Sequence, residues 1–374
     1  MRLAVSVLVL LAPATVPPSD GSSLHLSSGG DYTVLGALAE LPASTETDAL
    51  LVQTGDLVAA TELAALERPS EPDIDAVASW IFPLTGLPRE DEFAPLFVPL
   101  GQVFNYQTLA DIAQFDDALG WSLIDADAFV EQSTPPESFA VITGDFDEST
   151  LNPDLTEVAD GVVSYGEGDD FETNLSGDPN PVDRLGRPVR LARDRDRIAA
   201  SFSTPFVQQW LAGADETLAD DAELAAVATA LDEADVVAAV LTRVESGFDQ
   251  LGSSQPLSSE VVAQLQDRFQ NQVPSAPFDA VGFGWNVLDG EAAITVAYHF
   301  SSAEEAADSV ASLERLYREG ESLVTRQPIS ELVTIEDIVA AGDVVSVSLS
   351  VPDDSRPQVI YDMLLRRDVP FVSR

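Results

Sequence analysis

Apolar residues along this chain fall into two kinds of run. Short, nearly continuous runs bounded by Gly, Pro or Asp predict strands at Ala49 to Thr54, Phe139 to Thr143, Gly161 to Tyr165 and Val236 to Leu241. The same pattern returns at Ala280 to Leu288, Ala292 to Phe300, Leu332 to Ile335 and Val344 to Val351. Runs with helical spacing predict helices at Asp56 to Leu66, Ile74 to Phe82, Thr108 to Leu119, Ile124 to Phe129, Pro205 to Leu211 and Asp220 to Asp232. Further helices are predicted at Ser259 to Gln270, 303–319 and Pro357 to Arg366, with a short one near Glu148 to Ala159.

Punctuation residues join these elements. Asp289-Gly290 between two alternating runs is a hairpin signal, because both residues tolerate the left-handed backbone of a two-residue turn. Ser302-Ala303-Glu304-Glu305 is a capping box. Ser203 or Thr204 caps a helix that begins with Pro205. Pro188 to Arg193 and Arg197 to Ser203 read as a second hairpin. The Gly-, Ser- and Gln-rich stretch 246–258 reads as a linker. It divides an α+β part at 31–245, irregular near its start, from a compact α+β part at 259–374. The expected fold class is therefore α+β, with antiparallel sheets and helices packed on one face. The comparable strand, hairpin and helix content of 139–245 leaves two related layers open as a plan.

Charge changes the picture more than hydropathy does. The 374 residues carry 64 Asp plus Glu against 18 Lys plus Arg, a net charge of −46, and every basic residue is Arg. Hydrophobic content of 45% with 17 Phe and 4 Trp is the composition of a folding chain, so the acid must cover a folded surface. Clusters such as Asp220, Asp221 and Glu223 repel one another in dilute buffer, where the Debye length is about 10 Å, and little in brine, where it is about 3 Å. In composition and element order the chain resembles uncharacterised exported proteins of extremely halophilic archaea. That resemblance implies a salt-rich habitat and no particular activity. So negative a chain is a poor partner for nucleic acid.

The first residues point to export. Arg2 precedes an apolar run from Leu3 to Leu11, and Ala12-Pro13-Ala14 offers small residues at a cleavage site. Residues 1–14 are expected to be a signal peptide, 15–30 a flexible stalk, and the mature protein extracellular or at the cell surface. No later segment is apolar for long enough to span a bilayer.

Chemistry is sparse. No Cys and two His, His25 and His299, exclude thiolate sites and a multi-histidine metal centre. No cofactor motif is present, and there is no nucleophile elbow or phosphate loop. Asp145 and Asp147, directly after a strand, are candidate catalytic carboxylates for a hydrolase, with turn formation as the competing role. Glu167, Asp169 and Asp170 are candidate ligands for a hard cation, although the loop lacks an EF-hand spacing. Asn174-Leu175-Ser176 is a glycosylation triplet. Six Arg crowd residues 184–197, suited to a carboxylated or sulfated glycan or to ion pairs with the neighbouring acidic loop. The expected function is a non-enzymatic exported binding or structural module whose partner is a glycan or cell-surface component, with a carboxylate-dependent hydrolase as the alternative.

Overall fold

The computed structural model of the protein describes residues 24–43, 50–88, 92–105, 112–175, 181–183, 185–243, 258, 260, 264, 273–352 and 355–372. The signal peptide, most of the stalk, the linker at 246–257 and most of the helix expected at Ser259 to Gln270 lie outside them.

Twelve strands form one antiparallel sheet. They are β1 (Leu51–Asp56), β2 (Ala126–Thr134), β3 (Glu137–Gly144), β4 (Thr156–Ala159), β5 (Val162–Tyr165) and β6 (Val189–Asp194). Then follow β7 (Arg197–Ser201), β8 (Ala238–Arg243), β9 (Phe278–Leu288), β10 (Glu291–Phe300), β11 (Thr334–Ala341) and β12 (Val344–Ser350). The order across the sheet is β11-β12-β10-β9-β8-β1-β2-β3-β7-β6-β5-β4. The α+β class with an antiparallel sheet is what the fold shows.

The order contains a repeat. Outward from the central β1–β8 pair, one side reads β1-β2-β3-β7-β6 and the other β8-β9-β10-β12-β11. Each side is a strand, a hairpin, and a second hairpin inserted in reverse order. Because β1 and β8 are antiparallel, a two-fold axis between them relates the two orders. The two related units are halves of a single sheet rather than stacked layers. The sheet is continuous across the stretch read as a linker, since β8 pairs with β9 from Ala238↔Trp285 to Arg243↔Ala280.

Nine helices accompany the sheet among the described residues: α1 (Val34–Leu38), α2 (Leu57–Leu63), α3 (Ile74–Leu84), α4 (Gln102–Asn105) and α5 (Ile112–Leu119), then α6 (Thr204–Leu211), α7 (Ala222–Asp232), α8 (Ala303–Glu319) and α9 (Val359–Leu365). They cover both faces of the sheet, not one. α2, α3, α5, α8 and α9 pack into one core cluster with Phe129, Ile142, Phe283, Tyr298 and Val347. α1, α6 and α7 pack into the other with Val130, Val141, Ala239 and Leu241. The central strands explain this. Adjacent residues such as Phe129 and Val130, or Val240 and Leu241, are buried on opposite faces, so both faces must be covered.

Local signals account for most boundaries. Asp56 caps α2, its Oδ1 accepting the N–H groups of Val58 and Ala59 at 3.0 Å each. Ser302 caps α8 through the Glu305 N–H at 3.3 Å. Asp289 and Gly290 take φ of 55° and 88°, as the two-residue hairpin turn requires. A Cβ on Gly282 would stand 2.5 Å from Val227 Cγ1, so the Gly282-Phe283-Gly284 stretch lets α7 lie close on β9.

Three segments differ from expectation. The short helix expected near Glu148 to Ala159 is a run of turns ending in β4, because Thr156 to Ala159 pair with β5. The helix expected at Ile124 to Phe129 is a 3-10 turn running into β2, because alternate residues there face the two cores. The last part of the expected stalk is packed. Leu26 is buried and donates its N–H to Glu40, and the Gly29 N–H bonds to Asp56 at 2.5 Å.

Candidate functional site

A narrow groove lies over the β2-β3-β7-β6 part of the sheet. Its floor is one row of residues in register: Glu131 opposite Ala140, Ala140 opposite Ala200, and Ala200 opposite Leu191. Strands are spaced about 4.8 Å apart, so the row runs for about 14 Å. Two alanines in mid-row leave the floor low. Phe115 and Leu119 of α5, Trp121, Val182 and Phe202 form the walls. The space it holds is small, about 30 Å³, room for about two water molecules.

Gln102, Ser138 and Ser201 add polar atoms to this mostly apolar lining, and two further polar groups stand out in it. The first is Glu131, 1% exposed. Its Oε1 accepts the N–H of Gln102 at 2.8 Å and its Oε2 that of Val103 at 2.9 Å. The chain reaches the carboxyl only because residue 101 is glycine, since a Cβ there would lie 2.4 Å from Oε2. Burial pushes the carboxyl up from its ordinary value of 4.5 to about 7, against the pull of the two backbone N–H groups.

The second is Trp121, fully buried between Phe115 and Phe146 with edge-on ring contacts at 5.5 and 6.1 Å. The other three tryptophans satisfy their indole N–H groups. Trp80 donates to Thr61 at 2.8 Å, Trp210 to Glu40 at 3.0 Å and Trp285 to the Pro357 carbonyl at 2.8 Å. Trp121 Nε1 has no acceptor among the described residues. A buried N–H without a partner costs about 1–3 kcal/mol.

The residues singled out from sequence lie elsewhere. Asp145 and Asp147 are both exposed on the turn after β3. Asp147 Oδ1 accepts the N–H and hydroxyl of Ser149 at 2.8 and 2.7 Å. Those bonds hold its carboxyl below the usual carboxylate range, the opposite of what a general acid needs.

Glu167 and Asp169 are exposed, while Asp170 is committed to the fold. Its Oδ2 accepts the Thr204 N–H at 2.7 Å, capping α6 in place of the expected Ser203 side chain. Its Oδ1 accepts the Thr204 hydroxyl at 2.7 Å and Arg190 Nε at 2.8 Å. Burial pushes this carboxyl up, but the bonds from Thr204 and Arg190 outweigh it and hold it low. Among the described residues no group of three or more His, Asp or Glu is placed to hold a metal ion. Asn174 is exposed, and its triplet partner Ser176 lies outside the described residues.

Of the five described Arg in the cluster, Arg187, Arg190 and Arg197 are matched to the protein's own acids, while Arg193 donates to the Arg195 carbonyl. Arg187 pairs with fully buried Asp183, and its guanidinium stacks 3.7 Å from the Phe202 ring centre. Arg197 joins buried Glu40 to Asp194 at 2.5 and 2.6 Å. Arg190 is buried, not exposed, and reaches Ser164 and the Gly168 carbonyl as well as Asp170. Arg184 lies outside the described residues. His299, on the face toward α7, bonds Asp279 at 2.5 Å. That bond raises the imidazole pKa, burial opposes it, and the neighbouring acids Asp343 and Glu223 add to the rise.

Neither Glu131 nor Trp121 was among the sequence candidates, because the helix expected at Ile124 to Phe129 hid the strand that carries Glu131. The usable signal was an acid following the strand-like run Ala128-Phe129-Val130.

No protein-family model and no curated protein matches the chain. Among solved structures it is similar to crystal form I of TP0453, with a TM-score of 0.34 at 10% identity, covering 84% of this chain and 92% of that one. So distant a likeness carries no argument about function.

Proposed function

We propose that the protein is an exported, non-enzymatic binding module adapted to concentrated salt, and that its ligand lies in the groove over Ala140 and Ala200. The observation that carries the reading is the row itself. A buried acid and a leucine enclose two alanines across four strands, under an apolar wall. Composition supports the habitat, and residues 1–14 support export to the medium or cell surface. Among the described residues no helix is long and apolar enough to cross a membrane.

A glycan partner is less favoured. The groove lining is mostly apolar, and Arg187, Arg190 and Arg197 are held in ion pairs. The hydrolase reading has less support still, since Asp147 is spent on a turn.

The test is equilibrium binding of an environment-sensitive apolar fluorophore in about 3 M KCl, where self-repulsion is screened. Wild type should bind it, and Ala140→Phe, which raises the middle of the floor, should lose it while melting cooperatively. Equal binding by the two proteins would place the ligand elsewhere. Polymer hydrolysis abolished by Asp145→Asn would favour the hydrolase.

A further inference from the structure

His299 lies in the half of the sheet that does not carry the groove, and its ring is 8% exposed as a residue between two acids. The β9–β10 register slips beside it, since His299 faces Ala280 while Phe300 faces Phe278. Asp279 is the extra residue of that bulge. A bulge re-aims a side chain, and this one delivers the Asp279 carboxylate to Nδ1 at 2.5 Å. On the opposite edge of the ring, Nε2 stands 3.5 Å from Asp343. Asp343 belongs to the two-residue turn between β11 and β12, and its carbonyl accepts the Phe300 N–H at 2.8 Å. Glu223, from the first turn of α7, adds a third negative charge. It shares Arg243 of β8 with Asp221, the cap of α7.

A carboxylate only accepts hydrogen bonds, so both contacts are favourable together only when both ring nitrogens carry hydrogen. That species is the imidazolium. The neutral ring has one hydrogen to give and leaves the other carboxylate facing a lone pair. The two acids do not compete equally. Asp279 holds the short bond, whereas the Asp343 contact is longer and its carboxylate is half exposed. The hydrogen therefore stays on Nδ1, and Asp343 is the acid released.

We propose that His299 is a pH-operated latch at the edge of the sheet: the imidazolium ties the Gly342-Asp343 turn to the β9 bulge, and the neutral ring keeps Asp279 and lets the turn go. The β11–β12 hairpin is the outermost pair on that side, so the latch sets the order of a sheet edge. The bond to Asp279 and the charges of Asp343 and Glu223 outweigh burial and lift the imidazole above its ordinary 6.5. The latch is therefore fully closed below that value and opens as pH rises through the higher folded one. It is independent of the groove being a binding site.

The chain has two histidines, so histidine-selective nitrogen-15 NMR of the full-length protein in about 3 M KCl resolves this ring, with His25→Asn removing the other signal. His299 should titrate above pH 6.5 and, once neutral, keep its hydrogen on Nδ1. Over the same pH range the Phe300 amide, corrected for base-catalysed exchange, should lose protection about two- to fivefold, the worth of a half-exposed ion pair. In Asp343→Asn the ring should still titrate, and Phe300 protection should no longer follow it. A titrating ring with level Phe300 protection would overturn the inference. So would a neutral ring with its hydrogen on Nε2, or a pH dependence that survives in Asp343→Asn. Should that variant lose its cooperative melt, the wild-type tautomer and the Phe300 protection decide alone.

Discussion

Replacing Glu131 by Gln should shift the stability difference in the variant's favour by about 3 kcal/mol between pH 4.5 and pH 8.5. The folded carboxyl titrates at about 7 and its ordinary value is 4.5. The native state therefore binds the proton more tightly than the unfolded chain does. Between those two values the folded protein holds more protons, so stability falls as pH rises through the interval and levels off above it. At ~1.4 kcal/mol per pH unit the loss amounts to about 3 kcal/mol. Because the residue is 1% exposed, solvent screening does not reduce this much. With an unfolding entropy of ~2.1 cal/mol/K per residue, that is about 4 °C in melting temperature for a chain of this size.

Gln removes the titration and keeps the size, but its NH2 cannot accept the second of the two backbone N–H bonds, so the variant starts about 1–3 kcal/mol below wild type at the acid end. Other groups titrate in the same direction. Asp56, Asp116 and Asp232 are raised by burial, and His299 by its bond to Asp279. Wild type alone would mix them all. The difference between the two melting curves, taken from pH 4.5 to pH 8.5 by circular dichroism in about 3 M KCl, isolates Glu131. It should grow by about 3 kcal/mol in the variant's favour from the acid end to above neutrality. Parallel curves would show that the two backbone N–H groups outweigh burial and that the carboxyl is ionised throughout.

Gly101→Ala should cost about 1–3 kcal/mol, because its Cβ would press on the Glu131 carboxyl at 2.4 Å; Glu131→Ala in the same chain should recover part of the lost melting temperature. Arg190→Gln should cost about 3 kcal/mol, since it strips a buried guanidinium from Asp170 and Ser164; a loss below 0.5 kcal/mol in urea melts would contradict that burial. Lowering KCl from about 3 M to about 0.1 M should lower the melting temperature, because the net charge of −46 then repels at longer range; an unchanged melting temperature would contradict the view of the surface as salt-adapted.

Elements with local signals were legible in the sequence. The β9–β10 hairpin was announced by Asp289-Gly290, α2 by Asp56, and α6 by Pro205 after Ser203. Segments whose fate depends on distant partners were not. Residues 126–129, Ala-Asp-Ala-Phe, carry no strong preference, and they are a strand because β1 and β3 pair with them on either side. The second layer of helices was hidden for a related reason. Strands buried on both faces read as continuous apolar runs, and such runs do not say how many layers cover them. The spacing of the six Arg does not show that Arg190 is buried beneath the acidic loop, because Ser164, Gly168 and Asp170 reach it from other segments. The groove was illegible because its row joins residues 131, 140, 200 and 191, and only the register of four strands brings them together.

That register also shows that the groove is a property of these residues and not of the fold. The two halves of the sheet repeat one strand order, so β9, β10 and β12 stand where β2, β3 and β7 stand in the first half. Rows on the same face of the second half read Val281-Tyr298-Val345, Phe283-Val296-Val347 and Trp285-Ile294-Leu349. Every position is large, and α8 and α9 close on them to make solid core. In the first half the row Phe129-Ile142-Ile198 is filled in the same way. Its neighbour, Glu131-Ala140-Ala200, is not. Filling that row with two isoleucines would bury more apolar surface at about 25 cal/mol per Å², and an apolar residue at 131 would remove the cost of a buried carboxyl. A sheet that fills the equivalent rows elsewhere, yet keeps two alanines, a buried acid and an unmatched indole together here, gives up stability at one place. Such local sacrifices are expected where a protein binds something.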